Sequence, residues 1–261
     1  MTEPNEQAAH IEVRDLTMAY GSAVIQRDLN FNINSGDIFV IMGGSGCGKS
    51  TLLKHMLGLI QPNHGDILYN GTSFFQASDS EQGLMRQGWG ISYQSGGLFS
   101  AMTLAENITL PLELYTRYTT AEITDIVAYK LALVGLGGYQ SYYPSQISGG
   151  MQKRAALARA IALDPQILFF DEPSAGLDPI SSRLLDELIV QIKESMGATV
   201  VIVTHELASI FAIANNSVYL DNNSHTMIAY GNPADLRDNS EQPVVRQFLT
   251  RAAAADRKDT P

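Results

Sequence analysis

The stretch GGSGCGKST, Gly43 to Thr51, has the residue types and spacing of a phosphate-binding turn. Gly43, four intervening residues and then Gly48-Lys49-Ser50 fit the pattern GxxxxGK[ST]. An apolar run precedes it and a helical pattern follows, the context in which backbone N–H groups and a helix N-terminus wrap phosphate oxygens. Lys49 offers a point charge to the β- and γ-phosphates of a nucleotide, and Ser50 offers a hydroxyl to Mg²⁺. The expected phosphate shell is Gly43, Gly44, Ser45, Gly46, Cys47, Gly48, Lys49, Ser50 and Thr51. Cys47 is the single cysteine of the chain, so no internal disulfide is possible. Cys47 reads as a tolerated small residue rather than a redox switch, yet a thiol at a helix N-terminus can have a lowered pKa, which predicts alkylation at Cys47 that blocks ATP turnover and is prevented by bound nucleotide.

Further along, ILFFDEP reads as a buried strand ending in two acids, at the strand edge where open α/β sheets place their ligands. Asp171 is expected to meet Mg²⁺ through its water shell. Glu172 is placed to orient or deprotonate a water for in-line attack on a γ-phosphate. TVVIVTH puts His205 at another strand end, where an imidazole can hydrogen-bond that phosphate, and Gln94, closing GWGISYQ, can reach Mg²⁺ and the attacking water. Between these motifs lies ISGGMQ, which carries no acid, base or thiol. Its Ser148, Gly149 and Gly150 present a hydroxyl and open N–H groups at the start of an alanine-rich helix, an anion site by geometry. One chain already has a loop for its own nucleotide's phosphates. A second loop is useful if it completes the site of another copy, so that two chains, head to tail, trap two ATP molecules. His10, His55, His64 and His225 show no metal-site spacing and are read as surface or packing residues, and Asp186-Glu187 as a solvated helix face.

These residues require strand, loop and helix units to hold them. Residues 11–39 alternate apolar and polar types, as half-buried antiparallel strands do. DIFVIM is almost continuously apolar, the mark of a strand buried on both faces, and it feeds the glycine loop and the helix KSTLLKHMLGLI. From Leu98 to Leu136 the pattern is helical, and strands return at QILFFD and ATVVIVTH, each followed by a helix. The expected fold class is α/β, one composite domain with a parallel sheet, an antiparallel β subdomain and a helical subdomain. A net charge of −10 disfavours a nucleic-acid partner. No apolar stretch approaches the roughly 20 residues that span a bilayer, and the start lacks the build of a signal peptide. The expected location is therefore the cytoplasm.

Taken together the motifs resemble the ATP-binding-cassette (ABC) ATPases over residues 11–248. In the family's order they are GGSGCGKST (Walker A), Gln94 (Q-loop), ISGGMQ (signature), ILFFDE (Walker B), SAGLD (D-loop) and His205 (switch histidine). The resemblance implies a P-loop NTPase with a RecA-like core, a tail over 1–10, an ATPase domain over 11–250 whose helical subdomain covers about 98–154, and a flexible tail over 251–261. It also implies ATP and Mg²⁺ as ligands, Tyr20 stacking on adenine, Asp178 coupling two sites across a dimer, and metal contacts from Ser50, Gln94 and Asp171. The signature commonly ends in Gln where this chain has Met151. Because the loop binds mainly through Ser148 and backbone N–H groups, ATP sandwiching is expected to survive.

The stretches YQSGGLF, SGGMQKRAALARAIALDP, DPI and VVRQFL are similar to the ATPase subunit of Mla-type phospholipid transporters. That resemblance implies a homodimer under two copies of a multi-spanning permease, peripheral at the cytoplasmic face of the inner membrane. Its further partners would be an MCE-domain (mammalian cell entry) lipid-binding protein and a STAS-domain protein. Residues 95–100 would meet the permease. PVVRQFLTR fits an amphipathic helix that either reaches a neighbouring subunit or packs on its own domain. Alternatives are a small-solute importer ATPase and a soluble ABC protein acting on ribosomes or DNA. The second usually carries two cassettes, a coiled-coil insertion or basic extensions, which this sequence lacks.

Overall fold

The computed structural model describes residues 9–255. In chain order its elements are β1 (Ala9–Tyr20), β2 (Ala23–Asn34), β3 (Ile38–Gly43), α1 (Lys49–Met56), β4 (His64–Tyr69), β5 (Thr72–Ser73), α2 (Asp79–Gln87), β6 (Trp89–Ser92), α3 (Leu104–Tyr115), α4 (Thr120–Leu133), a 3-10 turn (Pro144–Gln146), α5 (Gly149–Ala160), β7 (Ile167–Asp171), α6 (Pro179–Met196), β8 (Thr199–Val203), α7 (Leu207–Ile213), β9 (Asn216–Asp221), β10 (Thr226–Gly231), α8 (Pro233–Asn239) and α9 (Pro243–Ala255). The chain forms two compact units, Met1–Gly83 with Val201–Pro261, and Leu84–Val200. Of the expected tails, 1–8 and 256–261 lie outside the described residues.

In the first unit β2, β1, β4 and β5 form an antiparallel sheet in that order. Alternation puts Ile11 and Val13 inside and Glu12 and Arg14 outside. At Asp15 the backbone turns left-handed (φ 47°) and the register slips, so Leu16 and Met18 again face inward. β3 is buried at every residue, the reason its sequence is continuously apolar, and pairs in parallel with β9, Gly43 opposite Leu220. Phe39 stacks on Phe31 with ring centres 5.4 Å apart. The C-terminal helix packs on its own unit: Val245 and Leu249 are buried and Phe248 meets Tyr219 edge-on at 5.3 Å. Of the two readings of PVVRQFLTR, the structure shows the second.

In the second unit β6 and β7 run parallel, Trp89 opposite Ile167 through Ser92 opposite Phe170. The helices α3, α4 and α5 follow β6 with no strand between them. TLAE and TTAE are capping boxes in which Thr103 and Thr119 exchange hydrogen bonds with Glu106 and Glu122. Alanines at 155, 156, 158 and 160 let α5 lie close to β6. The approach is so tight that a Cβ on Gly90 would strike the carbonyl of Ala160. Lys130 of α4 is almost fully buried, its ammonium 2.5 Å from the carboxylate of Asp164 just beyond α5. The expectation for Asp186-Glu187 is half corrected: Glu187 is exposed, but Asp186 is 5 % exposed. It falls beside Leu185 on the face of α6 that also carries Ile189 and Ile192, and helical periodicity turns it inward with them.

Asn107, fully buried on α3, organises the segment that follows Gln94. Its carboxamide accepts from the N–H of Phe99 at 2.8 Å and donates to the carbonyls of Phe99, Met102 and Thr103 at 3.1, 3.2 and 2.9 Å. Replacing it by alanine leaves these buried backbone groups without their partner, an expected loss of about 1–3 kcal/mol in urea unfolding of the Asn107→Ala chain. An unchanged unfolding midpoint would contradict that role.

Candidate functional site

The glycine loop from Gly43 to Thr51 belongs to the first unit. Gly43 ends β3 with φ 149°, and Gly48 sits at the N-cap of α1 with φ 98° in the left-handed region, where a side chain is strained. A Cβ on Gly43 would lie 2.7 Å from Cys47 Sγ, and one on Gly48 2.6 Å from Ile25 Cγ2. Gly44 and Gly46 face open space. No side chain caps α1. Lys49 Nζ donates to the carbonyls of Gly43 and Gly44 at 3.0 and 2.9 Å, so the ammonium lies over the loop itself. Ser45 and Ser50 are exposed and Thr51 is half-buried. An anion fits this cradle: crowded glycines shape it, open ones leave room, and a cation and a helix N-terminus supply positive potential.

Cys47 departs from expectation. It is 1 % exposed and packs under the loop against Gly43. Burial pushes its thiol up, and the carboxylate of Asp221 adds to this, while Lys49, 3.9 Å from Sγ, acts the other way. Desolvation outweighs the helix N-terminus because the sulfur points into the protein, whereas the N–H groups open outward. Tyr20 ends β1 beside the turn at Gly21, 52 % exposed, with its ring available for stacking. His205 follows β8 and is exposed, its Nε2 4.0 Å from Glu206 Oε1.

Gln94, Asp171 and Glu172 lie in the second unit and share neighbours there. Asp171 closes β7, whose other residues are buried, and β7 pairs with β6, which leads to Gln94. Glu172 has φ 49°, a left-handed conformation that costs a non-glycine residue on the order of 1–3 kcal/mol and is found at functional turns. Tyr93 feels the Asp171 carboxylate: burial first, then that charge, raise its phenol. Lys153 of α5 donates to the backbone carbonyl of Gln94. Burial lowers its ammonium pKa, and the nearby Glu172 carboxylate opposes that shift. A cation thus meets the Gln94 backbone and feels the charge of the acid that follows β7. Neither Lys153 nor Tyr93 was picked out by sequence, since no motif separates a lysine one turn into a helix from any surface lysine.

The second glycine loop is built as its residues suggest. Ser148 caps α5, accepting from Met151 N at 3.3 Å, and Gly149 and Gly150 form the first turn. Asp178 caps α6 by accepting from the N–H groups of Ile180 and Ser181 at 3.0 and 3.1 Å and from the Ser181 hydroxyl at 2.5 Å. The Ser181 bonds hold its carboxyl below the usual range. The two caps border one cavity of about 570 Å³, with Ser148 to Met151 and Gly176 to Asp178 on one side and Leu184 and Leu188 of α6 on another. Among the described residues no group of three or more His, Cys, Asp or Glu could hold a metal ion. Ser50 in the first unit, and Gln94 and Asp171 in the second, each carry a hard oxygen donor of the kind that suits Mg²⁺.

The family model described as ABC transporter matches residues 26–175. The ribonucleotide transport ATP-binding protein mkl of Mycobacterium tuberculosis, so named as probable, is 42% identical over 95% of this chain and 68% of its own length. The intermembrane phospholipid transport system ATP-binding protein MlaF of Escherichia coli is 38% identical over 92% of this chain and 88% of its own, and that of Haemophilus influenzae 39% over 92% and 89%. Among solved structures, cbiO1 of Clostridium perfringens, part of an ABC transporter complex, superposes with a TM-score of 0.82 at 26% identity, over 96% of this chain and 98% of that one. The cassette MJ0796, a dimer bound to ADP and Pi in a post-hydrolysis state, gives 0.75 at 28% identity over 85% and 98%.

Because Cys47 is buried and its thiol held protonated, iodoacetamide is expected to label it slowly at pH 7, faster as pH rises, and faster still once urea unfolds the chain. Equal labelling rates for folded and unfolded chain would show that the thiol is accessible.

Proposed function

Since the chain belongs to the ABC transporter family, as one of its ATP-hydrolysing cassettes, we propose that it is the ATPase subunit of a transporter moving phospholipids between the inner membrane and the outer envelope. The observation that carries the cargo is the match to MlaF of E. coli and H. influenzae, which takes in nearly the whole of both partners, 92% of this chain against 88% and 89% of theirs. The mycobacterial relatives are more identical, at 42%, but this chain spans 68% of them, and their names point to ribonucleotides. A small-solute transporter is therefore the second reading.

ATP is the substrate. In this proposal Tyr20 stacks on adenine, the N–H groups of Gly43 to Thr51 and the Lys49 ammonium hold the phosphates, and Ser50 and Gln94, with Asp171 through a water shell, would hold Mg²⁺. Mg²⁺, when bound, would supply positive charge that neutralises the phosphates. Glu172 accepts a proton from the water that attacks the γ-phosphorus, Gln94 orients that water, and His205 hydrogen-bonds the γ-phosphate. Ser148, Gly149 and Gly150 serve the nucleotide of a second copy. Asp178, spent on its own helix cap, acts in coupling by fixing where α6 starts. The cavity bordered by both caps supports this reading, because it leaves the N-terminus of α5 open on that side.

Among the described residues no helix is long and apolar enough to cross a membrane, and the reading assigns passage to a separate permease dimer. The cassette would sit beneath it at the cytoplasmic face, with residues 95–100 in contact. Arg159 supports that segment by donating to the Gly97 carbonyl and lying 4.9 Å over the ring of Phe99, which leaves the ring 47 % exposed. An MCE-domain protein and a STAS-domain protein complete the assembly.

Glu172→Gln is expected to bind ATP, lose about 10²–10⁴-fold in turnover and accumulate as an ATP-bound dimer, whereas Lys49→Ala loses nucleotide affinity. Turnover, nucleotide titration and sedimentation velocity check these. The variant purified from membranes with ATP should bring down a permease, an MCE protein and phospholipid. Recovery of a solute permease instead would keep the chemistry and discard the lipid cargo.

A further inference from the structure

Gln26 matches none of the motifs, yet it is fully buried on β2, where the other inward side chains are Leu29, Phe31 and Ile33. Its Nε2 donates to the carbonyl of Cys47 at 2.8 Å and to that of Asp221 at 3.0 Å. Both neighbours can only accept, so the nitrogen must face them, and the orientation of the amide is settled by its surroundings. Its Oε1 is buried and makes no hydrogen bond among the described residues. A leucine or methionine there would avoid that unsatisfied acceptor, so whatever the carboxamide contributes comes from its two donated bonds.

Those bonds reach the phosphate loop from beneath. The Cys47 carbonyl belongs to the peptide whose N–H is that of Gly48, and in a planar trans peptide the two point in opposite directions. Drawing the carbonyl down toward β2 therefore aims the Gly48 N–H up, away from β2. The left-handed φ of 98° at Gly48 holds the same orientation, and Ile25 leaves no room there for a Cβ. The second bond ends on Asp221, the last residue of β9, which pairs with the strand that leads into the loop. One side chain thus fixes the loop against the strands on which it is mounted. We propose that Gln26 is a positioning residue for nucleotide binding, orienting the Cys47–Gly48 peptide so that the Gly48 N–H faces a phosphate oxygen. This rests on the reading of Gly43 to Thr51 as a nucleotide phosphate loop.

The test uses the full chain labelled with ¹⁵N-glycine and titrated with Mg-ADP, comparing wild type, Gln26→Met and Lys49→Ala. Gln26→Met keeps length and burial but donates nothing. It is expected to weaken ADP binding about tenfold or more, the worth of one hydrogen bond to a charged group, and to abolish the ADP-induced shift of the Gly48 amide. Wild-type affinity with an unchanged Gly48 shift would overturn the inference. Failure of the wild-type chain to bind ADP at all would overturn the phosphate-loop reading, and this inference with it. Should Gln26→Met not fold, Gln26→Glu supplies a second arm. The introduced carboxyl donates one bond when protonated but sets a negative charge against two carbonyl oxygens when ionised. Lys49, Asp221, Cys47 and the His225 imidazole on the Ile25 carbonyl are the titratable or charged neighbours, and they are common to both chains. ADP affinity of Gln26→Glu should rise toward wild type as pH falls from 8 to 6, relative to the wild-type profile. Parallel profiles would overturn the inference.

Discussion

The fixed aim of the backbone amides in the glycine loop is the constraint on which the rest of this structure depends. An N–H group cannot be re-aimed by a rotamer change, so the loop from Gly43 to Thr51 has to be held by what surrounds it. β3 is buried at every residue and so fixes where the loop begins. The left-handed Gly48 turns the chain into α1, whose first N–H groups are left without a side-chain cap. Beneath, Gln26 and Cys47 fill the space that would otherwise let the peptide planes tilt. Rigid support under a soft, glycine-rich turn reconciles close approach to an anion with a defined geometry.

The second unit solves a different problem, keeping reactive polar groups in register along one helix. α5 starts at the Ser148 cap, sends Lys153 to the Gln94 carbonyl, and sends Arg159 to the Gly97 carbonyl. Asn107 grips the far end of the same segment at Phe99. The segment after Gln94 is therefore tied to two helices, and its glycines at 96 and 97, both at positive φ, supply the bends that these ties require. A displacement of Gln94 has either to carry α5 with it or to break charge-assisted hydrogen bonds, which are stronger than neutral ones. In the proposed reading, with Gln94 at the γ-phosphate, such a linkage would be a physical means of passing motion from the nucleotide to the protein surface.

Strain and burial fall where chemistry is expected and also where it is not. Glu172 carries a left-handed backbone in a half-buried position. Lys130 buries an ammonium against Asp164, itself left-handed, with no place in the proposed reaction. The first is a strained acid in the motif read as catalytic, the second a clamp between α4 and the end of α5. The shared feature shows why strain by itself does not identify a site and why the motif context was needed.

Much of this was legible in the sequence because it depends on local rules. GxxxxGK[ST] after a continuously apolar run can hardly be other than strand, loop and helix, and the helical pattern from Leu98 to Leu136 is the stretch that holds α3 and α4. The order of the motifs was enough to resemble the ABC family. Other features depend on which groups meet across the fold. The burial of the Cys47 thiol against Gly43, which reverses its expected reactivity, follows from how the loop packs on the protein. Asp186 turns inward because α6 places it beside its apolar stripe, whatever the charge of its neighbour Glu187. Gln26, 21 residues before the carbonyl it holds and 195 before the other, had no local signal at all. Sequence specifies chemistry wherever residues close in the chain act together. Desolvation and hydrogen bonding between distant segments exist only once the chain has folded.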